Sequence, residues 1–156
     1  MNSNKNVIFS ATVQSPSGLN EVILKLKPLL FEKSCILLAG DLASGKTTFV
    51  QLFCESYGLK NIASPTFSLH HTYENEKITV DHFDLYRLSS SDEIETSGIW
   101  DVFSKKKGLI FIEWASRLSV KELPLDWKFF EVDLIKIQDA GLENERSVIV
   151  SSVSLS

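Results

Sequence analysis

Cysteine, arginine and long apolar runs are all scarce in this chain of 156 residues. The two cysteines, Cys35 and Cys54, sit where small apolar side chains pack well, so they read as buried free thiols. A reducing cytoplasm is the expected compartment. No apolar stretch reaches membrane-spanning length and residues 1–13 lack the hydrophobic core of a secretion signal, so no membrane role is expected. Lys and Arg number 16 against 20 Asp and Glu, and the net charge of -4 argues against strong sequence-independent binding to nucleic acid. The one basic run, Lys105-Lys106-Lys107, reads as a solvated helix end. Repeats and low-complexity tracts are absent. A hydrophobic content of 44% and a charged content of 23% are ordinary for a folded domain, and the length suits one domain over residues 1–156.

What is present begins with residues 35–49, an apolar strand, a phosphate-sized loop and a helix start. Gly40, four residues, then Gly45-Lys46-Thr47 fill the Walker A pattern. Gly40 lets the chain turn off the strand, Gly45 lets backbone amides approach phosphate oxygens, and the helix start adds partial positive charge. Lys46 would neutralise the β and γ phosphates and Thr47 would ligate Mg2+. The expected nucleotide cradle comprises Gly40, Asp41, Leu42, Ala43, Ser44, Gly45, Lys46, Thr47 and Thr48. A guanine-reading Asn-Lys-x-Asp motif and an Asp-x-x-Gly after the loop are both missing, which disfavours a GTPase.

In chain order, residues 7–13 read as a strand. Ser15-Pro16-Ser17-Gly18 starts a helix whose face is Leu19, Val22, Ile23 and Leu26, ended near Lys27 by Pro28. Phe49, Val50, Phe53 and Tyr57 mark the buried face of the helix after the loop, and Gly58 ends it. Residues 67–73 and 78–83 alternate around a polar turn, as a β-hairpin does. Ser90, Asp92 and Glu93 cap a short helix, and residues 98–103 suggest another. Residues 109–112 form a continuous apolar run delivering Glu113 to a strand end. Residues 127–138 and 146–153 alternate around a turn at 139–144, as a closing antiparallel pair. The expected fold is an α/β, P-loop NTPase-like three-layer α/β/α sandwich with a mixed, mainly parallel sheet and a C-terminal antiparallel hairpin. In such sheets ligands bind at the carboxyl ends of strands, where Gly40 and Glu113 both emerge.

A P-loop also needs an acid near the metal and a group to orient the attacking nucleophile. Glu113 has the Walker B context. In Asp81-His82-Phe83-Asp84-Leu85-Tyr86-Arg87, period-two geometry puts His82 and Asp84 on one face and Asp81 and Phe83 on the other. Asp84 could orient water, and Arg87 could offset phosphate charge or pair with a carboxylate. His70 and His71 lack partners at ligand spacing and receive no role. Lys46, Asp84 and Glu113 are the catalytic candidates, and Thr47 and Glu113 the metal candidates.

Several of these motifs resemble one family. Gly-Asp-Leu-x-x-Gly-Lys-Thr-Thr-Phe at 40–49, Ser-Pro-Thr-Phe at 64–67, His-Phe-Asp-Leu-Tyr-Arg-Leu at 82–88, Gly-Ile at 98–99 and Ile-Glu-Trp at 112–114 look like the TsaE (YjeE) family of bacterial ATPases. The resemblance implies an ATP-hydrolysing, Mg2+-using accessory protein for threonylcarbamoyladenosine formation on tRNA. It would act with a TsaD-like transferase and a TsaB-like partner, and touch tRNA indirectly. It further implies that Thr48 reaches the α-phosphate, Trp114 lies near the nucleotide, and Ser64-Pro65-Thr66 is a γ-phosphate-sensing switch, with Tyr86 and Arg87 as further switch or partner contacts. Where the family commonly has Gly-Ala this chain has Ala43-Ser44, so position 43 is expected not to need a positive φ. Ala115 replaces a common proline, which leaves the path after Glu113 open. The main alternative is a small-molecule kinase, although such enzymes usually carry several lid arginines and this chain has only Arg87, Arg117 and Arg146. A nucleotide-bound adaptor with incidental hydrolysis is a third reading.

Overall fold

The computed structural model describes residues 3–137 and 144–155. In chain order these form β1 (Ser3–Val13), α1 (Leu19–Leu26), β2 (Lys33–Ala39), α2 (Lys46–Glu55), β3 (His70–Glu74), β4 (Thr79–Asp84), α3 (Ser91–Glu95), α4 (Ile99–Phe103), β5 (Gly108–Glu113), β6 (Lys128–Lys136) and β7 (Arg146–Leu155). The strands make one sheet ordered β1-β7-β6-β2-β5-β4-β3. Its centre, β6-β2-β5-β4, is parallel, while β1 and β7 on one side and β3 on the other pair antiparallel. Three of the six pairings are therefore parallel, a smaller share than the sequence suggested. The β3–β4 hairpin is the expected one, its turn closed by Asn75, whose Oδ1 accepts from the amides of Lys77 and Ile78; the pairing the sequence did not indicate is β1 against β7, which joins opposite ends of the chain. β6 and β7 form the expected closing pair. Of the turn expected between them, residues 139–143 lie outside the described residues.

Alternation along the strands builds a core on each face of the sheet, which gives the three layers. Ile36, Leu38, Leu109 and Phe111 join Leu19, Val22, Ile23 and Leu26 of α1 and Phe49, Val50 and Phe53 of α2. Cys35, Ile110, Ile112 and Phe129 join Ile99, Val102 and Phe103 of α4 on the opposite face. Pro28 acts as expected, since α1 stops at Leu26 and the proline sits in a single 3-10 turn. The Ser90 hydroxyl accepts from the Glu93 amide and Glu93 reaches back to Ser90, a complete capping box. Both cysteines are buried and free, and burial pushes the Cys54 thiol up to about 12.

Two pairings of β5 position the site: Asp84 of β4 lies opposite Glu113, and Glu113 in turn lies opposite Leu38 of β2, one residue before Ala39. The other face of β4 is devoted to stability. Buried Asp81 accepts from Thr72 Oγ1 at 2.7 Å, His70 Nε2 at 2.8 Å and Lys105 Nζ at 2.8 Å. His70 also stacks on Phe83 with ring centroids 4.0 Å apart. Lys105 thus departs from the solvated reading of the lysine run, because its partner comes from a strand that sequence proximity does not reveal. Burial opposes ionisation of Asp81, yet the hydrogen bonds from His70, Lys105 and Thr72 outweigh it and hold the carboxyl below its ordinary value of 3.8.

A carboxyl lowered on folding adds stability above its ordinary value and loses it as pH falls through the lowered folded-state value. Asp81→Asn should therefore reduce unfolding free energy by about 2 kcal/mol near neutral pH, with the deficit shrinking on acidification. Urea denaturation across a pH series measures the deficit. A deficit that stays constant into the acid limit would rule out the ionised clamp.

Candidate active site

Where β2 ends, Gly40 adopts φ +136°, and a Cβ there would lie 2.5 Å from both Leu134 O and Ser44 Oγ. Only glycine fits. Gly45, at φ +112°, meets no atom within 4 Å of such a Cβ, so its requirement is the backbone angle alone. Ala43 overturns the expectation for its position: it takes φ +58°, the left-handed region, because the loop must double back between Gly40 and the start of α2. The first turn of α2 contains no acidic residue and its N-cap Gly45 supplies no side chain, so amides at the helix start have no capping side chain. Those amides and the helix dipole favour an anion.

Lys46 is buried beneath the loop, and its ammonium donates to the carbonyl oxygens of Gly40 at 2.7 Å and Asp41 at 2.8 Å. Burial lowers its pKa, with Glu113, Asp84 and Asp41 pulling the other way. The same ammonium lies 4.9 Å from the centre of the Trp114 ring. Two buried carboxylates share this space. Glu113 Oε1 accepts from Thr47 Oγ1 at 2.9 Å and pairs with His82 Nε2 at 3.0 Å. Asp84 Oδ2 accepts from Thr66 Oγ1 at 2.8 Å, and its Oδ1 accepts from the Tyr86 amide at 3.0 Å.

The loop at 64–66 is therefore tied to the site through Thr66, whose hydroxyl lies 2.7 Å from that of Ser64, while Pro65 O accepts from the Leu69 amide. Trp114 turns the chain at φ +58° into a 3-10 turn over Ala115–Arg117, which settles the path after Glu113, and its ring stands 5.0 Å from that of Tyr86. Arg87 lies instead over the exposed ring of Phe67, 4.3 Å from its centre. Leu42 is exposed on the loop, and Thr48 lies in the first turn of α2.

The structure thus brings together Lys46, Thr47, Asp84, Glu113, Thr66, Tyr86 and Trp114, with Arg87 directed to Phe67. His82 was legible as sharing the face of Asp84 but had no role. Arg146, whose Nε donates to Ser44 O at 3.1 Å, was not foreseen at the loop, since 102 residues separate the two. Chemically, a buried ammonium and helix-start amides without a capping side chain could hold phosphate oxygens. A hydroxyl and a carboxylate oxygen 2.9 Å apart are hard ligands that could serve Mg2+. Among the described residues no group of three or more His, Cys, Asp or Glu could hold a metal ion.

The family model described as Threonylcarbamoyl adenosine biosynthesis protein TsaE matches residues 13–148. The chain belongs to the TsaE family. Among relatives bearing the name tRNA threonylcarbamoyladenosine biosynthesis protein TsaE, that of Rickettsia bellii is 34% identical over 140 residues, 87% of this chain and 90% of its own. The Nostoc sp. relative is 38% identical over 117 residues, 73% of this chain and 70% of its own. The Rickettsia felis relative is 43% identical over 84 residues, 51% of this chain but only 47% of its own, so the match spans about half that protein's length. The matches to the Rickettsia conorii and Haemophilus influenzae relatives span 59% and 60% of those proteins. The crystal structure of Bacillus subtilis YdiB superposes with a TM-score of 0.65 at 23% identity, over 99% of this chain and 89% of that one, and supports the fold.

The left-handed Ala43 carries strain of roughly 1–2 kcal/mol, part of which glycine would return as unfolded-state entropy. Ala43→Gly should stabilise the protein by up to about 1 kcal/mol and raise Tm by roughly 2–4 °C. Thermal denaturation checks this, and an unchanged or lowered Tm would show that the loop relaxes around alanine.

Proposed function

We propose that this protein is a Mg2+-dependent ATPase of the cytoplasm that serves threonylcarbamoyladenosine formation on tRNA, acting in complex with a TsaD-like transferase and a TsaB-like partner and meeting tRNA indirectly. The observation that carries the reading is the convergence of Lys46 and Thr47 of α2, Asp84 of β4 and Glu113 of β5 around one loop. Membership of the TsaE family supports the pathway.

On this reading Lys46 neutralises β and γ phosphate charge from beneath the loop, and the helix-start amides, Thr48 included, bind the remaining oxygens. Thr47 and Glu113 hold Mg2+, which when bound supplies charge stabilisation at the phosphate oxygens. Asp84 orients the attacking water and takes up its proton at Oδ2. That oxygen is the one Thr66 occupies, so displacement of the 64–66 loop frees the base and couples the switch to the chemistry. Phe67, 86% exposed under Arg87, and half-exposed Tyr86 stand beside that loop, where a partner protein can read its position.

Lys46→Ala should weaken ATP binding by about a hundredfold or more, read by calorimetry. Asp84→Ala and Glu113→Ala should retain nucleotide and lose about 10²- to 10⁴-fold in single-turnover hydrolysis. Full turnover in either carboxylate variant would remove that residue from the site. The pathway has a separate test. With ATP present, the purified protein should bind the cell's own TsaD-TsaB complex and support repeated tRNA modification. Failure there, with ATPase activity intact, would sever it from the pathway.

A further inference from the structure

His82 is wholly buried on β4, and the function proposed above does not use it. Its two ring nitrogens have opposite situations. Nε2 lies 3.0 Å from Glu113 Oε1, whereas Nδ1 is buried with no hydrogen-bond partner among the described residues. A carboxylate only accepts, so the bond to Glu113 requires a proton on Nε2. An apolar side chain would fill this place without leaving a polar atom unsatisfied, so the functional end of the ring is Nε2.

The oxygen that takes this bond is the same Oε1 that accepts from Thr47 Oγ1. The three residues form a short chain in which the imidazole N–H and the threonine O–H both donate to one carboxylate oxygen. Two consequences follow from the geometry. Held from the β4 side, the Glu113 carboxylate cannot turn away from α2. With its proton committed to Glu113, the Thr47 hydroxyl must present its lone pairs elsewhere, which is what a metal ligand requires.

We propose that His82 is a positioning residue that fixes Glu113 and, through it, Thr47 for Mg2+. This rests on the reading of the site as one for a magnesium nucleotide. The role differs from that of Lys46 and the helix-start amides, which meet phosphate and not the metal. Loss of His82 therefore separates metal binding from nucleotide binding.

The test is a titration of the full chain with a fluorescent ATP analogue, in EDTA and at increasing Mg2+. His82→Leu should raise the Mg2+ concentration for half-maximal gain in nucleotide affinity by about tenfold, with affinity in EDTA within about twofold of the unmodified chain. His82→Gln, whose amide nitrogen reaches toward the Nε2 position, should restore the Mg2+ requirement to within about threefold. An unchanged Mg2+ requirement in His82→Leu, or equal losses with and without Mg2+, overturns the proposal. Thermal melts report folding. If His82→Leu does not fold, the comparison moves to His82→Asn, too short to reach Glu113, against His82→Gln. A raised Mg2+ requirement in Asn alone supports the proposal, and equal behaviour overturns it. If the unmodified chain binds no nucleotide, or binds it without any gain from Mg2+, the underlying reading fails as well, and that outcome is visible before any variant is made.

Discussion

The burial of Glu113 is the constraint around which the site is arranged. A carboxylate taken out of water at the end of a central strand must find donors or positive charge, since isolated burial of a charge costs several kcal/mol. Here it finds a hydroxyl from α2, an imidazole from β4 and the nearby charge of Lys46. None of these is near it in sequence. They meet because β2, β5 and β4 run parallel in a register that sets Leu38, Glu113 and Asp84 side by side. A slip of one residue would turn Glu113 into the apolar core around Ile99 and Phe103 and empty the site of its acid. The packing of both sheet faces thus fixes the chemistry as firmly as the stability.

Strain is concentrated around the same place. Ala43, Leu69 and Trp114 all adopt left-handed φ without being glycine, one in the P-loop, one where the 64–66 loop rejoins the sheet, and one directly after Glu113. Each such conformation costs of order 1 kcal/mol or more and persists only where surrounding structure demands it. At Trp114 the demand is visible: the turn folds its ring back between Lys46 and Tyr86. At Ala43 it is the reversal of the P-loop between two glycines whose own angles are fixed.

Legibility in the sequence followed the range of the forces involved. The P-loop, the capping box at Ser90, the stop at Pro28 and the delivery of Glu113 by an apolar strand are local patterns, and each appears where the residues indicate. Period-two alternation also sorted β4 correctly, with His82 and Asp84 toward the P-loop and Asp81 and Phe83 away from it. What was not legible depends on which strands become neighbours. The partners of Asp81 lie on β3 and beyond α4, and Arg146 reaches the P-loop from β7, so neither can be read from spacing. The antiparallel pairing of β1 with β7 escaped for the same reason, whereas the β3–β4 and β6–β7 pairs appear as expected. The φ of Ala43 was not legible because alanine ordinarily avoids the left-handed region, and only the reversal of the loop forces it there.

The two faces of β4 explain which part of the site can respond to nucleotide and which cannot. On one face Asp81 is clamped by three donors, and the strand itself is paired on both sides by β3 and β5. Asp84, at the end of that strand, is therefore anchored. The segment opposing it is held differently: the side-chain link from Thr66 to Asp84 is a single hydrogen bond, of the kind worth about 1 kcal/mol net. A competing acceptor with modest affinity for Thr66 is enough to shift that balance, whereas moving Asp84 would require breaking sheet pairing. On the proposed function the response to nucleotide consequently falls on residues 64–66 and on the exposed Phe67 that follows them, while the acids, the metal ligands and His82 stay in register.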